Sequence, residues 1–254
     1  MLREALAVLP VAAGAVVAAH LAAHATVARA MRRRGAACPF ENDDHQPLPL
    51  GSVLRLAVAE SVHLVAAVLG ALRPLPRTRG AGTPVVLLVA PPLPRAAMRG
   101  LAQHLGGMGR PVAVVRAPRR RYDERAGARL ASAIERARGG APTLDVVAHG
   151  ASAPFMLRLL ATPLGATLGV RTVVAVGARL TAVAAPPRVE LQSIYSLDDV
   201  WLQPPDAGHH PGAFNVAVRG EGHIGLLRSG RATAIVAENL EPLDPPLTRP
   251  GSAA

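Results

Sequence analysis

Residues 144–152, Leu-Asp-Val-Val-Ala-His-Gly-Ala-Ser, end an apolar run in a polar pair, and a helical pattern follows. A sharp strand-to-helix turn of this kind can hold a hydroxyl clear of a sheet, where it can attack a carbonyl. The turn here carries His149 and then Gly150, which has no side chain and cannot form a covalent acyl intermediate. Taken alone, His149-Gly150 is also an ordinary tight turn between strand and helix. Ser152 supplies a hydroxyl two residues on, but Pro154 stands where a small residue would let such a turn close. A serine at that place also serves as the cap or first-turn residue of a helix, and the sequence favours that use. Two later segments carry acid and base groups. One is Ser193-Ile-Tyr-Ser-Leu-Asp-Asp-Val-Trp, with Asp198 and Asp199; the other is Asn215-Val-Ala-Val-Arg-Gly-Glu-Gly-His, ending at His223.

These residues need elements to position them. From residue 84 on, apolar runs and helical patterns alternate. Strands are expected at 85–90, 112–115, 144–148, 170–176, 189–195 and 215–218. Helices are expected at 96–106, 122–138, 153–160 and 231–240. The alternation predicts an α/β protein: a mostly parallel sheet with helices on both faces. Half the residues are apolar but only 2% are aromatic, so the core must be built of Ala, Val and Leu.

The order of these features resembles the α/β-hydrolase superfamily, and within it the bacterial triacylglycerol lipase/esterase group. The resemblance covers residues 83–240 in four places. Thr83-Pro-Val-Val-Leu-Leu-Val-Ala-Pro-Pro stands where the family has a strand ending in His-Gly. Val147-Ala-His-Gly-Ala-Ser stands where it has Gly-His-Ser-x-Gly, and the segments at 193–204 and 215–227 match the strands that deliver the acid and the histidine. The resemblance implies His223 as base and Asp199 as acid, with Asp198 as the close alternative. It puts Gly150 at the nucleophile position, left vacant, and Ser152 at the place of the later small residue. The oxyanion positions fall on Ala151 and Pro92, and proline has no N–H to donate. The segment between Gly177 and Val189 is too short for the lid that lipases insert there. The implied protein is a hydrolase relative with a degenerate nucleophile elbow and a binding or scaffolding role. Two alternatives stay open: an active esterase using Ser152, His223 and Asp199, and water activation by His223 and Asp199 without an acyl-enzyme.

Residues 5–28 carry no formal charge, which is long enough to cross a ~30 Å hydrocarbon core. Arg29, Arg32, Arg33 and Arg34 follow, a flank that favours keeping the globular part cytoplasmic at an inner membrane. The competing expectation is a signal peptide, with secretion after cleavage near residues 23–25. Residues 35–50 read as a linker. The stretch 53–72 reads as an amphipathic helix against the membrane surface or the globular domain, because Arg55, Glu60 and His63 make a spanning helix costly. The tail from 242 is Pro-rich and expected to be disordered. A membrane and a lipid or ester ligand are therefore the expected partners.

The net charge is +11 and every basic residue is Arg. With few aromatics and no single basic stripe, nucleic-acid binding is not expected. Arg116, Arg119, Arg120 and Arg121 read as a solvated loop or an anion contact. His209-His210 lacks the partners of a metal site, and there is no P-loop, dinucleotide fingerprint or paired-cysteine motif, so no metal or cofactor is expected. The one cysteine, Cys38, excludes an internal disulfide.

Overall fold

The computed structural model describes residues 14, 18, 22, 50–75, 78–118, 122–181, 183–202 and 205–240. Apart from residues 14, 18, 22 and 50, the uncharged segment at 5–28, its Arg flank and the linker lie outside the described residues, as do the tail from 242 and Arg119, Arg120 and Arg121.

Among the described residues six strands form one sheet: β1 (Val85–Val89), β2 (Val112–Arg116), β3 (Leu144–His149), β4 (Val170–Val176), β5 (Glu190–Ser196) and β6 (Phe214–Val218). Their order is β2-β1-β3-β4-β5-β6, and every pairing is parallel. β1 and β3 are buried along their whole length, as strands covered on both faces must be. Alternate side chains enter two cores. Val86, Leu88, Val146, Ala148 and Val173 meet α3 (Glu124–Arg138) and α4 (Ser152–Leu160) through Leu130, Ile134, Met156 and Leu159. On the other face, Val85, Leu87, Val147, Val174 and Ile194 meet α1 (Leu50–Gly70), α2 (Arg99–Gly107) and α6 (Gly230–Glu238) through Ala67, Leu101, Leu105 and Val236. A single turn, α5 (Pro163–Ala166), joins α4 to β4.

Local chemistry fixes the element ends. The Asp123 carboxylate accepts the Ala126 N–H at 2.8 Å and starts α3, and Gly139 ends it at φ 62°. The expected start of α2 at residue 96 is in fact a 3-10 turn over Arg95–Met98 that leads into the α-helix. The helix expected at 53–72 is α1, which starts three residues earlier and ends at Gly70, and the globular domain covers its inner face. Val53, Ala57, Glu60, Ser61 and Ala67 are buried, and Arg99 donates to the carbonyls of Gly70, Arg73 and Pro74 at its end. By length and composition alone, Gly51–Gly70 could also cross a membrane.

At the amino edge of the sheet, Asp145 on β3 is fully buried between two arginines. Arg171 reaches it with Nε at 3.0 Å and Nη2 at 2.7 Å, and Arg110 bonds the same carboxylate. Both guanidinium groups also donate to the Leu240 carbonyl, tying the end of α6 to β3 and β4.

Candidate functional site

The loops leaving the carboxyl ends of β3, β5 and β6 converge. This is where open parallel sheets bind ligands. Gly150 follows β3 with φ +56°, a left-handed conformation that glycine adopts without strain. Asp199 follows β5 and is fully buried. One of its oxygens, Oδ1, accepts the N–H groups of Trp201 (2.8 Å) and Leu202 (3.3 Å). The other, Oδ2, lies 2.7 Å from Nδ1 of His223, which follows β6. Asp198 is occupied elsewhere, accepting the Gly220 N–H at 2.6 Å and lying 3.5 Å from Arg219. Of the two adjacent carboxylates, the imidazole therefore pairs with Asp199.

Because Nδ1 is used by Asp199, Nε2 is the atom His223 presents. It faces Gly150: a Cβ added there would lie 3.4 Å from His223 Nε2. A side chain at position 150 would thus stand in hydrogen-bonding range of the imidazole, and none is present. A second glycine makes room for the pair itself. At Gly177 (φ +56°) a Cβ would lie 3.3 Å from His223 Nδ1 and 3.5 Å from Asp199 Oδ2.

Ser152 is not brought to His223. It is buried as the first residue of α4, and its hydroxyl lies 2.7 Å from the His149 carbonyl and 3.0 Å from the Leu88 carbonyl. It faces into the sheet, and it does not cap the helix: Ala151 holds the N-cap place. Its use as an alternative nucleophile has no support in this geometry. Pro92 follows β1 in a turn and has no N–H to offer an oxyanion.

Two residues the sequence did not assign to the site hold the His223 loop. His149 donates Nε2–H to the backbone carbonyl of His223 at 3.0 Å, and the two rings lie 4.4 Å apart. Glu60, from α1, accepts the N–H groups of Ile224 (2.9 Å) and Gly225 (2.7 Å), directly after His223. In the sequence Glu60 only interrupts an apolar stretch. Nothing in a sequence pattern connects it to a loop 164 positions away. His210 serves a structural purpose: its Nε2 lies 2.7 Å from the Val183 carbonyl and its Nδ1 accepts from Gly212.

The electrostatics separate the two histidines. Burial, and then the charge on His223, push His149 well below its ordinary value, so it stays neutral. Burial alone would also lower His223. The charge and hydrogen bond of Asp199, helped by Glu60, outweigh it and raise His223 above 6.5. Because the folded state holds the His223 proton more tightly, the stabilisation is full below about 6.5. It is lost as pH rises through the folded value. We expect imidazole NMR to show His223 titrating above 6.5 and His149 silent across neutral pH. Asp199→Asn should move the His223 midpoint down; an unmoved midpoint would contradict the pairing.

Gly150, Ala151, Pro154, Arg158, Gly177, Arg179, Val183, Trp201, Leu202 and His223 line a cavity of about 470 Å³ over the pair. That is the size of an ordinary small-molecule site.

Strand order and chain order together define the class. Acid and histidine follow later strands of a parallel sheet, and the strand-to-helix turn before them lies at its top, as in the α/β-hydrolase fold. The chain has that fold. No family model matches it, and no curated protein does. Similar solved structures include a gene product of Listeria innocua (12% identity, covering 65% of this chain and 96% of that one, TM-score 0.49). Others are an alpha/beta hydrolase enzyme from a lagoon-sediment metagenome (12%, 63% and 91%, 0.49) and a bromoperoxidase from Bacillus anthracis (14%, 63% and 90%, 0.45). The fold assignment rests on the sheet itself, not on likenesses of this size.

Proposed function

We propose that this is a membrane-associated α/β-hydrolase-fold protein, related to lipases and esterases, that has lost serine-hydrolase chemistry and binds a ligand at the cavity over Gly150. One observation carries the reading: His223 Nε2, backed by Asp199, faces a residue without a side chain. The covalent route needs a hydroxyl there, and the members of such a relay act as a unit. The proline at position 92 removes an oxyanion donor as well, a loss that costs roughly 2.7–4 kcal/mol of transition-state stabilisation.

Membrane association rests on the uncharged segment at 5–28 and on α1. The outer face of α1 exposes Leu54, Val58, Val62 and Leu69, spaced for one side of a helix, and Leu72 just beyond its end is 78% exposed. A face of this kind suits the boundary of a bilayer, with the globular domain on the cytoplasmic side.

The test is ester turnover by the full-length protein with p-nitrophenyl acetate, butyrate and octanoate. The expected rate equals that of His223→Ala for all three. Turnover that His223→Ala abolishes would overturn the binding role and support water activation instead.

A further inference from the structure

We propose that the cavity over Gly150 is a receptor site for a carboxylate carried on an apolar chain, the carboxylate lying in the gap between Gly150 and His223 Nε2. The proposal rests on the reading that the nucleophile position is vacant, and it names the ligand class that the vacancy selects.

Three features converge on this chemistry. The first is the gap. The atom nearest a Cβ at Gly150 is His223 Nε2, so a ligand oxygen placed where a hydroxyl would sit meets an N–H donor. Asp199 cannot compete with the ligand for that donor. It is held on the Nδ1 side, and its other oxygen is occupied by the N–H groups of Trp201 and Leu202.

The second feature is charge. Among the described residues that line the cavity, Arg158, Arg179 and His223 are basic and none is acidic. Arg158 is on α4, whose positive amino end lies beside Gly150 at Ala151. An anion is favoured over a neutral ester, whose carbonyl oxygen would gain far less from these groups.

The third is the rest of the wall. Pro154, Val183, Trp201 and Leu202 present apolar surface next to the polar corner. A charged head with an aliphatic tail satisfies both parts, and a free inorganic anion satisfies only one.

Trp201 is the only tryptophan in the chain, and its ring centroid lies 6.5 Å from that of His223. Its fluorescence therefore reports occupancy directly. The full-length protein would be titrated with octanoate and, separately, with octanol, and calorimetry would repeat each titration. Octanoate should give a saturable change, with octanol at least about tenfold weaker, as loss of a charge-assisted hydrogen bond implies. Gly150→Ser fills the gap and should weaken octanoate by about tenfold. The double variant Arg158→Ala/Arg179→Ala, which leaves the gap intact, should weaken it severalfold. Equal affinity for octanol and octanoate, undiminished octanoate binding by Gly150→Ser, or no saturable binding by either method would overturn the proposal. The turnover assay with p-nitrophenyl octanoate separates the two claims. Turnover that depends on His223 defeats the loss of chemistry. Absent turnover with absent octanoate binding defeats only the carboxylate assignment.

Discussion

Gly150→Ser is expected to make the protein a target for fluorophosphonates. The substitution returns a hydroxyl to a place where the imidazole and its acid are already set. Nε2 lies 3.4 Å from the new Cβ, which is ordinary contact and needs no displacement. The backbone there is left-handed, and a serine in that conformation costs roughly 1–2 kcal/mol. A domain of this size tolerates such a loss. Labelling should go from absent to stoichiometric, and Gly150→Ser/Asp199→Ala should abolish it. Ester turnover by Gly150→Ser should stay weak, because Pro92 still cannot donate. One missing oxyanion donor lowers kcat by about 10²–10³. Fast turnover by Gly150→Ser alone would show that the oxyanion site is complete without position 92.

The largest stability effect is expected far from that site. Asp145→Ala removes the buried carboxylate that Arg110 and Arg171 share and takes from Arg110, itself buried, the counter-charge it is bonded to. Breaking a buried pair from one side costs about 3–5 kcal/mol. For a domain of this size that is roughly 6–20 °C in Tm. The cluster also anchors the Leu240 carbonyl, so α6 should lose hydrogen-exchange protection before the β1–β3 core does. Thermal unfolding by circular dichroism, with an exchange experiment, checks both. A change below about 1 kcal/mol would mean that solvent reaches Arg110 in the folded state.

The sheet was legible because buried parallel strands are continuous apolar runs. The Val-rich stretches at 85–90, 112–115 and 170–176 are strands within a residue or two of their expected ends. Asp199 and His223 were legible because each follows its strand in the order the resemblance implies, and the structure places them 2.7 Å apart. What sequence could not supply was contact between distant segments. Glu60 reads as a fault in an apolar helix, yet it is the acceptor that fixes the loop after His223. Asp145 lies inside an expected strand with no role assigned to it, and only the fold brings Arg110 and Arg171 around it. Gly177 ends a strand like any turn glycine. Its lack of a side chain matters because the acid–imidazole pair passes within 3.5 Å of where a Cβ would be. Ser152 shows the reverse. A hydroxyl near the turn invited a chemical role, but burial and two backbone carbonyls give it a structural one.

The central claim is that, among the described residues, no hydroxyl stands before His223. Intact-mass spectrometry of the wild-type protein after exposure to a fluorophosphonate tests it most directly. The account predicts an unchanged mass. A single adduct on the wild-type chain, lost in Ser152→Ala, would contradict it.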